Sequence, residues 1–129
     1  MAHPNEDLLR RGYAAFAAAD LDTVFSLFAD DIVWHNGGSN QLSGDLRGHQ
    51  EIMGFFGKLI ELTGGTFRLD LHDVLANDTH GVVLVTAHAE RDGQPVSVRE
   101  ANIWHLADGK ATEFWVFPED TAELDRMFA

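Results

Sequence analysis

Three observations predict an α+β fold in which three helices from the N-terminal half pack on one face of an antiparallel sheet. Apolar residues recur at helical spacing in three segments before residue 63. From Thr66 onward the chain consists of long runs rich in Val, Phe, Thr, Trp and Ile. Asn77-Asp78, Asp92-Gly93 and Asp108-Gly109 punctuate those runs, and Asp-Gly between apolar runs is a strong hairpin signal.

The first helix is expected to start at Asn5 as N-cap, with Glu6 and Asp7 in its first turn, where the helix dipole favours acid. Leu9, Tyr13 and Phe16 recur along one face, and AAFAAAD carries the helix to about residue 19. Asp20 caps a second, shorter helix with Leu21, Val24, Leu27 and Phe28 as its apolar stripe. A short strand is predicted at Ile32–Asn36, followed by a loop over 37–48 that contains four glycines. Ile52, Phe55, Phe56, Leu59 and Leu62 mark a third helix from His49 to Leu62, ended by Gly64 and Gly65. Strands are predicted at Thr66–Ala76, Val82–Arg91, Pro95–Leu106 and Ala111–Pro118, with a short C-terminal helix at about Glu119–Phe128.

Composition narrows the partners. At 129 residues the chain fits one domain, spanning 1–129, large enough to bury its own core. Its net charge of −12, from 21 acidic and 9 basic residues, repels phosphate backbones and anionic lipid heads. Neither nucleic acid nor a membrane is therefore expected as a partner, although such charge also serves solubility alone. No apolar run reaches the ~18 residues of a membrane span, and MAHPNEDLLRRG lacks the apolar core of a signal peptide, so a cytoplasmic location is expected. The absence of cysteine excludes disulfides, thiol catalysis and cysteine-based metal sites. There is no HExxH spacing, GxGxxG turn or Walker lysine, so no metal or cofactor is expected.

Hairpin register decides which side chains face the helices. A two-residue loop at Asp92-Gly93 sets Val85 opposite Glu100, Val83 opposite Asn102 and Ala87 opposite Val98, all on one face. The next hairpin is open. A two-residue loop at Asp108-Gly109 puts Trp115 beside Asn102; a three-residue loop, Ala107-Asp108-Gly109, puts Phe114 there. The second arrangement is preferred, because it aims Phe114 and Val116 at the helices and turns Glu113 outward. It also leaves Trp115 and Phe117 on the outer face beside Ile103, an apolar patch suited to a homodimer packed sheet to sheet.

The stretches YAAFAAADLDTVFSLFADDIVWH, LRGHQEIMGFF and DGKATEFWVFPED resemble the SnoaL-like branch of the nuclear-transport-factor-2-like superfamily, over about residues 6–128. The resemblance implies a helix-lined cone closed by a curved sheet, with a cone-shaped pocket for a small, mostly apolar molecule. That fold hosts isomerases, cyclases, hydrolases, dehydratases and plain binding modules. Ketosteroid isomerases of the superfamily carry a carboxylate base where Asn36 stands and a proton-donating Asp where Asn102 stands. Their helix tyrosine falls at Gly12, one position from Tyr13. Polyketide cyclases carry an Asp where Val116 stands and a His at Asn102. Limonene-epoxide hydrolases use an Asp–Arg–Asp set for which this chain offers no inward Arg. An amide cannot accept a proton at neutral pH, so none of these mechanisms transfers.

Glu100 is the remaining candidate acid–base group. Inward between Val98 and Asn102, its carboxyl is expected to be desolvated and raised in pKa. Asn36 and Asn102 are expected to donate to a carbonyl or enolate oxygen. Trp34, Trp104, Tyr13, Phe16, Phe114 and Val116 would line the pocket, the two indoles stacking on a flat ligand or simply filling core. His35, His88 and His105 have outward parity, His49 opens the third helix, and His72-Asp73 at a strand kink would form a pair near the cavity only if a bulge intervened. Two readings remain: a cofactor-independent isomerase, cyclase or dehydratase that moves a proton next to a carbonyl, or a binding or assembly module lacking the family's carboxylates.

Overall fold

The computed structural model describes residues 2–129. Pro4 opens helix α1 (Pro4–Ala17), where its fixed φ suits helix entry and its missing N–H leaves nothing unpaired. The proline sets the helix start ahead of Asn5, so the cap is His3, whose Nδ1 accepts from the Asn5 N–H at 3.0 Å. The expectation of Asn5 as cap is thereby corrected. Its side chain instead donates to the Asn77 and Asp78 carbonyls at 3.0 and 3.1 Å, tying the helix to a turn of the sheet. Asp20 caps α2 (Leu21–Ser26), accepting from the Thr23 N–H at 3.2 Å and its hydroxyl at 2.6 Å. Helix α3 (Gly48–Thr63) stops at Gly64, whose φ of 60° is left-handed and suits glycine.

Six strands form one sheet: β1 (Phe28–Asn36), β2 (Gly44–Arg47), β3 (Arg68–Ala76), β4 (His80–Arg91), β5 (Gln94–Ala107) and β6 (Lys110–Pro118). Their order is β2-β1-β6-β5-β4-β3. All neighbours run antiparallel except β1 and β6, which are parallel, so the first long strand closes against the last. β2 lies within the stretch predicted as loop. Its Gly-Asp-Leu-Arg carries no alternating apolar signal, and it exists because β1 offers an edge to pair with, Val33 opposite Arg47. A short helix, α4 (Thr121–Met127), ends the order.

The first hairpin has the predicted register: Asp92 and Gly93 have φ of 52° and 77°, as a type I′ turn requires, and Val85 faces Glu100. The second does not. Asp108 and Gly109 have φ of 53° and 74° and Ala107 pairs with Lys110, so the loop has two residues rather than three. Continued unbroken, that pairing would turn Trp115 inward. A bulge at Thr112 prevents this, since Leu106 faces Ala111 while His105 faces Glu113. The extra residue restores parity, so Phe114 is buried while Phe117 is exposed. The partner of Asn102 is Val116, and Phe114 lies opposite Trp104 instead.

A second bulge, at His72 in β3, separates the pairs Leu71–Val85 and Asp73–Leu84. His72 and Asp73 are both exposed, and Asp73 accepts from its neighbour Val74 and approaches Arg10 at 3.7 Å. The bulge on which a His–Asp pair at the cavity depended is present, but the pair is not formed. The helices press closely on the sheet. Leu9 of α1 packs over Gly81, where any Cβ would collide with it. Around that contact, Ile32, Ile52, Val83, Val85 and Phe56 form the buried floor between helices and sheet.

Candidate functional site

Alternation along two strands builds the polar wall of a cavity. On β5, Glu100, Asn102 and Trp104 share one face; on β1, Trp34 and Asn36 do so. Helix α1 lowers Tyr13 and Phe16 onto them from above, and β6 adds Phe114 and Val116. All nine of these residues line one cavity of about 120 Å³ between the helices and the sheet.

A directed chain of hydrogen bonds runs through it. An indole N–H can only donate, so the Trp104 Nε1 bond to the Tyr13 hydroxyl, 3.1 Å, turns that hydroxyl's proton elsewhere. It donates to Asn102 Oδ1 at 2.6 Å. The Asn102 amide nitrogen in turn donates to Glu100 Oε1 at 3.2 Å. Tyr13 is the single tyrosine in the chain. A buried tyrosine needs a hydroxyl partner, which is the signal by which this network was legible in principle.

Burial against the apolar wall pushes the Glu100 carboxyl up to about 7, and the Asn102 bond offsets only part of that shift. Burial likewise raises Tyr13 far above the ordinary phenol range, opposed by the Trp104 bond and helped by the nearby Glu100 charge. Tyr13 therefore stays neutral. Apart from Glu100, no described lining residue is ionisable in the physiological range; Arg, Lys and His are absent.

Trp34 also donates through its indole N–H, to Asn36 Oδ1 at 3.1 Å. This leaves the Asn36 amide nitrogen buried and without a partner among the described residues. An unmet buried donor costs about 1–3 kcal/mol. The aromatic side chains pack chiefly on one another. Trp34 stacks on Phe114 at 3.9 Å between ring centroids, and Trp34 and Trp104 meet edge to face at 5.6 Å.

The lining also includes residues not expected in the site from the sequence. Asn40 and Leu42 from the glycine-rich loop, and Leu124 and Phe128 from the C-terminal helix region, are among them. Asp125 joins the two, accepting from the Ser39 N–H at 2.8 Å and the Asn40 amide at 2.9 Å. The apolar i, i+4 spacing of Leu124 and Phe128 was the available signal. The histidines lie elsewhere: His35 bridges Asp45 and Glu113 on the outer face, and His49 bonds the Phe28 and Ala29 carbonyls.

Fold and cavity together define an α+β fold, helices packed on a curved six-stranded sheet, around an apolar cavity with a short polar wall. Residues 9–114 match the model of the SnoaL-like domain, and the chain belongs to that family. The uncharacterized protein Rv0034 of Mycobacterium tuberculosis is 33% identical over 124 residues, covering 95% of each chain. Bal32a, from a soil-derived mobile gene cassette, superposes with a TM-score of 0.92 at 30% identity, over 98% of this chain and 97% of its own. An NTF2-like protein of unknown function from Burkholderia pseudomallei superposes with a TM-score of 0.88 at 26% identity, over 99% of each chain. No described helix is long and apolar enough to cross a membrane.

Proposed function

We propose that the chain is a cofactor-independent enzyme that moves a proton next to a carbonyl in a neutral, apolar cyclic metabolite, with Glu100 as the acid–base group. One observation carries the reading: the Glu100 carboxyl lines an apolar cavity with no Arg, Lys or His in its described lining, and burial there pushes its pKa up to about 7. At neutral pH such a group is divided between its two forms, as a catalyst that both takes and returns protons requires. Glu100 removes a proton from the carbon beside the carbonyl, and the electron pair moves onto the carbonyl oxygen. The carboxylic acid then returns the proton to another carbon, which isomerises the substrate, or to a leaving hydroxyl, which departs as water. The nine wall residues are the proposed site: Glu100 for catalysis, and Trp34, Asn36, Asn102, Trp104, Phe114, Val116, Tyr13 and Phe16 for binding.

The proposal includes a single domain over 1–129, cytoplasmic location and a homodimer formed through the outer sheet face, where Phe117 is 56% exposed beside Trp115 and Ile103. The experiment is an incubation of the protein, and of Glu100→Gln, with an extract of its source organism, followed by mass spectrometry of small molecules. A metabolite isomerised or dehydrated by the wild type alone is the expected result. The second reading, a binding module, is favoured by the amides at 36 and 102, where related enzymes hold carboxylates. It predicts that both proteins retain one apolar compound unchanged.

A further inference from the structure

We infer that Asn36 is the polar anchor of the cavity: its amide nitrogen donates to an acceptor oxygen, carbonyl or ether, of a neutral apolar ligand and so sets which end meets Glu100. The inference rests on the small-molecule reading of this cavity and adds the orientation and acceptor chemistry of the ligand.

The two amides of the wall are not equivalent. The orientation of Asn36 is fixed because the Trp34 indole can only donate, so it must meet the amide oxygen, and the nitrogen is left over. That nitrogen is buried and has no partner among the described residues. Asn102 accepts from Tyr13 and donates one of its two amide N–H groups to Glu100, so its nitrogen is already tied within the protein. The Tyr13 hydroxyl proton and the Trp104 N–H are engaged within the protein, and the Asn40 amide nitrogen is held by Asp125. Among the described lining amides, Asn36 is therefore the one whose nitrogen has no partner at all.

A group that can only donate selects an acceptor. The lining carries no Arg, Lys or His to balance an anion, and Glu100 repels one, so the matching acceptor is a neutral oxygen. Placement agrees with this division of labour. Asn36 lies one step beyond the His35–Trp115 pair, and Val116 pairs with Asn102, so the two amides sit at one level on either side of β6. Two strand spacings separate their backbones by about 10 Å. A ligand bonded at Asn36 extends across Val116 toward the Glu100 end of β5.

The test uses two probes of one shape, 1-tetralone and tetralin, which differ in the acceptor oxygen. Wild type, Asn36→Leu and Asn36→Asp are titrated with each by indole fluorescence, and the Asn side-chain NH2 resonances of the wild type are followed by 15N NMR. Asn36→Asp, titrated at about pH 9 with its carboxyl ionised, keeps an oxygen for Trp34 while replacing the donor, and thermal unfolding of both variants checks that they fold. The wild type is expected to bind the ketone about five- to tenfold more tightly than the hydrocarbon. Both variants should lose that preference, and the ketone alone should shift the Asn36 NH2 pair. Absence of a preference in the wild type, its survival in Asn36→Asp, or a shift confined to Asn102 overturns the inference. A ketone preference that depends on Asn36, in a protein that converts nothing in an extract, retires the enzymatic reading and leaves the anchor standing.

Discussion

At the scale of single residues, the site depends on one carboxyl that the fold holds against its solution preference. The Glu100 pKa is raised from 4.5 to about 7, so the folded state binds its proton more tightly than the unfolded state does. The protonated side chain is accommodated fully below about 4.5, and stability is lost as pH rises from there through about 7, above which the loss is constant. Glu100→Gln removes the penalty. It should match wild-type stability near pH 4 and exceed it at pH 8 by an amount on the order of 2–3 kcal/mol, read from urea denaturation at both pH values. An equal difference at the two pH values would mean that the carboxyl is not desolvated in solution. His35 behaves in the opposite sense to a simple buried histidine. Burial opposes its charged form, yet the bonds to Glu113 and Asp45 outweigh burial and its pKa stands above the ordinary value. It therefore contributes most below its unfolded pKa, and the contribution fades as pH rises through the folded one.

At the scale of elements, the sequence was readable wherever a local signal decided the geometry. The Asp92-Gly93 turn fixed the partners of Glu100 and Asn102 without further information, because a type I′ turn admits one register. The Thr112 bulge was not readable. It answers to the need to bury Phe114 and to turn Glu113 to the outer face, a tertiary demand with no signature in the residues around it. The predicted inward face of β6 was thus right while the loop assigned to produce it was wrong. β2 was hidden for a related reason, since its pairing depends on the edge it joins rather than on its own residues. The site was legible as a set of positions on shared faces, but the chain from Trp104 through Tyr13 to Asn102 links residues far apart in sequence, which no local pattern records. Leu9 of α1 lies where a Cβ at Gly81 would stand, so Gly81→Ala should drive Leu9 out of its rotamer and cost about 1–3 kcal/mol. Thermal unfolding measures it, and an unchanged midpoint would show that α1 can ride higher on β4.

At the scale of the whole molecule, the two faces of the sheet divide the work. The concave face closes on the cavity, and the outer face presents Phe117 and Trp115 among His35, His105 and Glu113. If that face joins two copies, sedimentation at micromolar concentration should give a dimer, and Phe117→Asp should give a monomer with the cavity intact. A wild type that sediments as a monomer would remove the second copy from the proposal.

The parallel pairing of β1 with β6 has a kinetic consequence. β3 through β6 are joined by tight turns and can zip in sequence, whereas β1 must hold its partnerless edge until nearly the entire chain has been made and ordered. Loop-closure entropy weighs against such distant contacts, so they form late. The stacking of Trp34 on Phe114 reports that closure directly. In a refolding experiment its fluorescence should change after hairpin protection has developed, and the chamber would be the last part of the molecule to come into being.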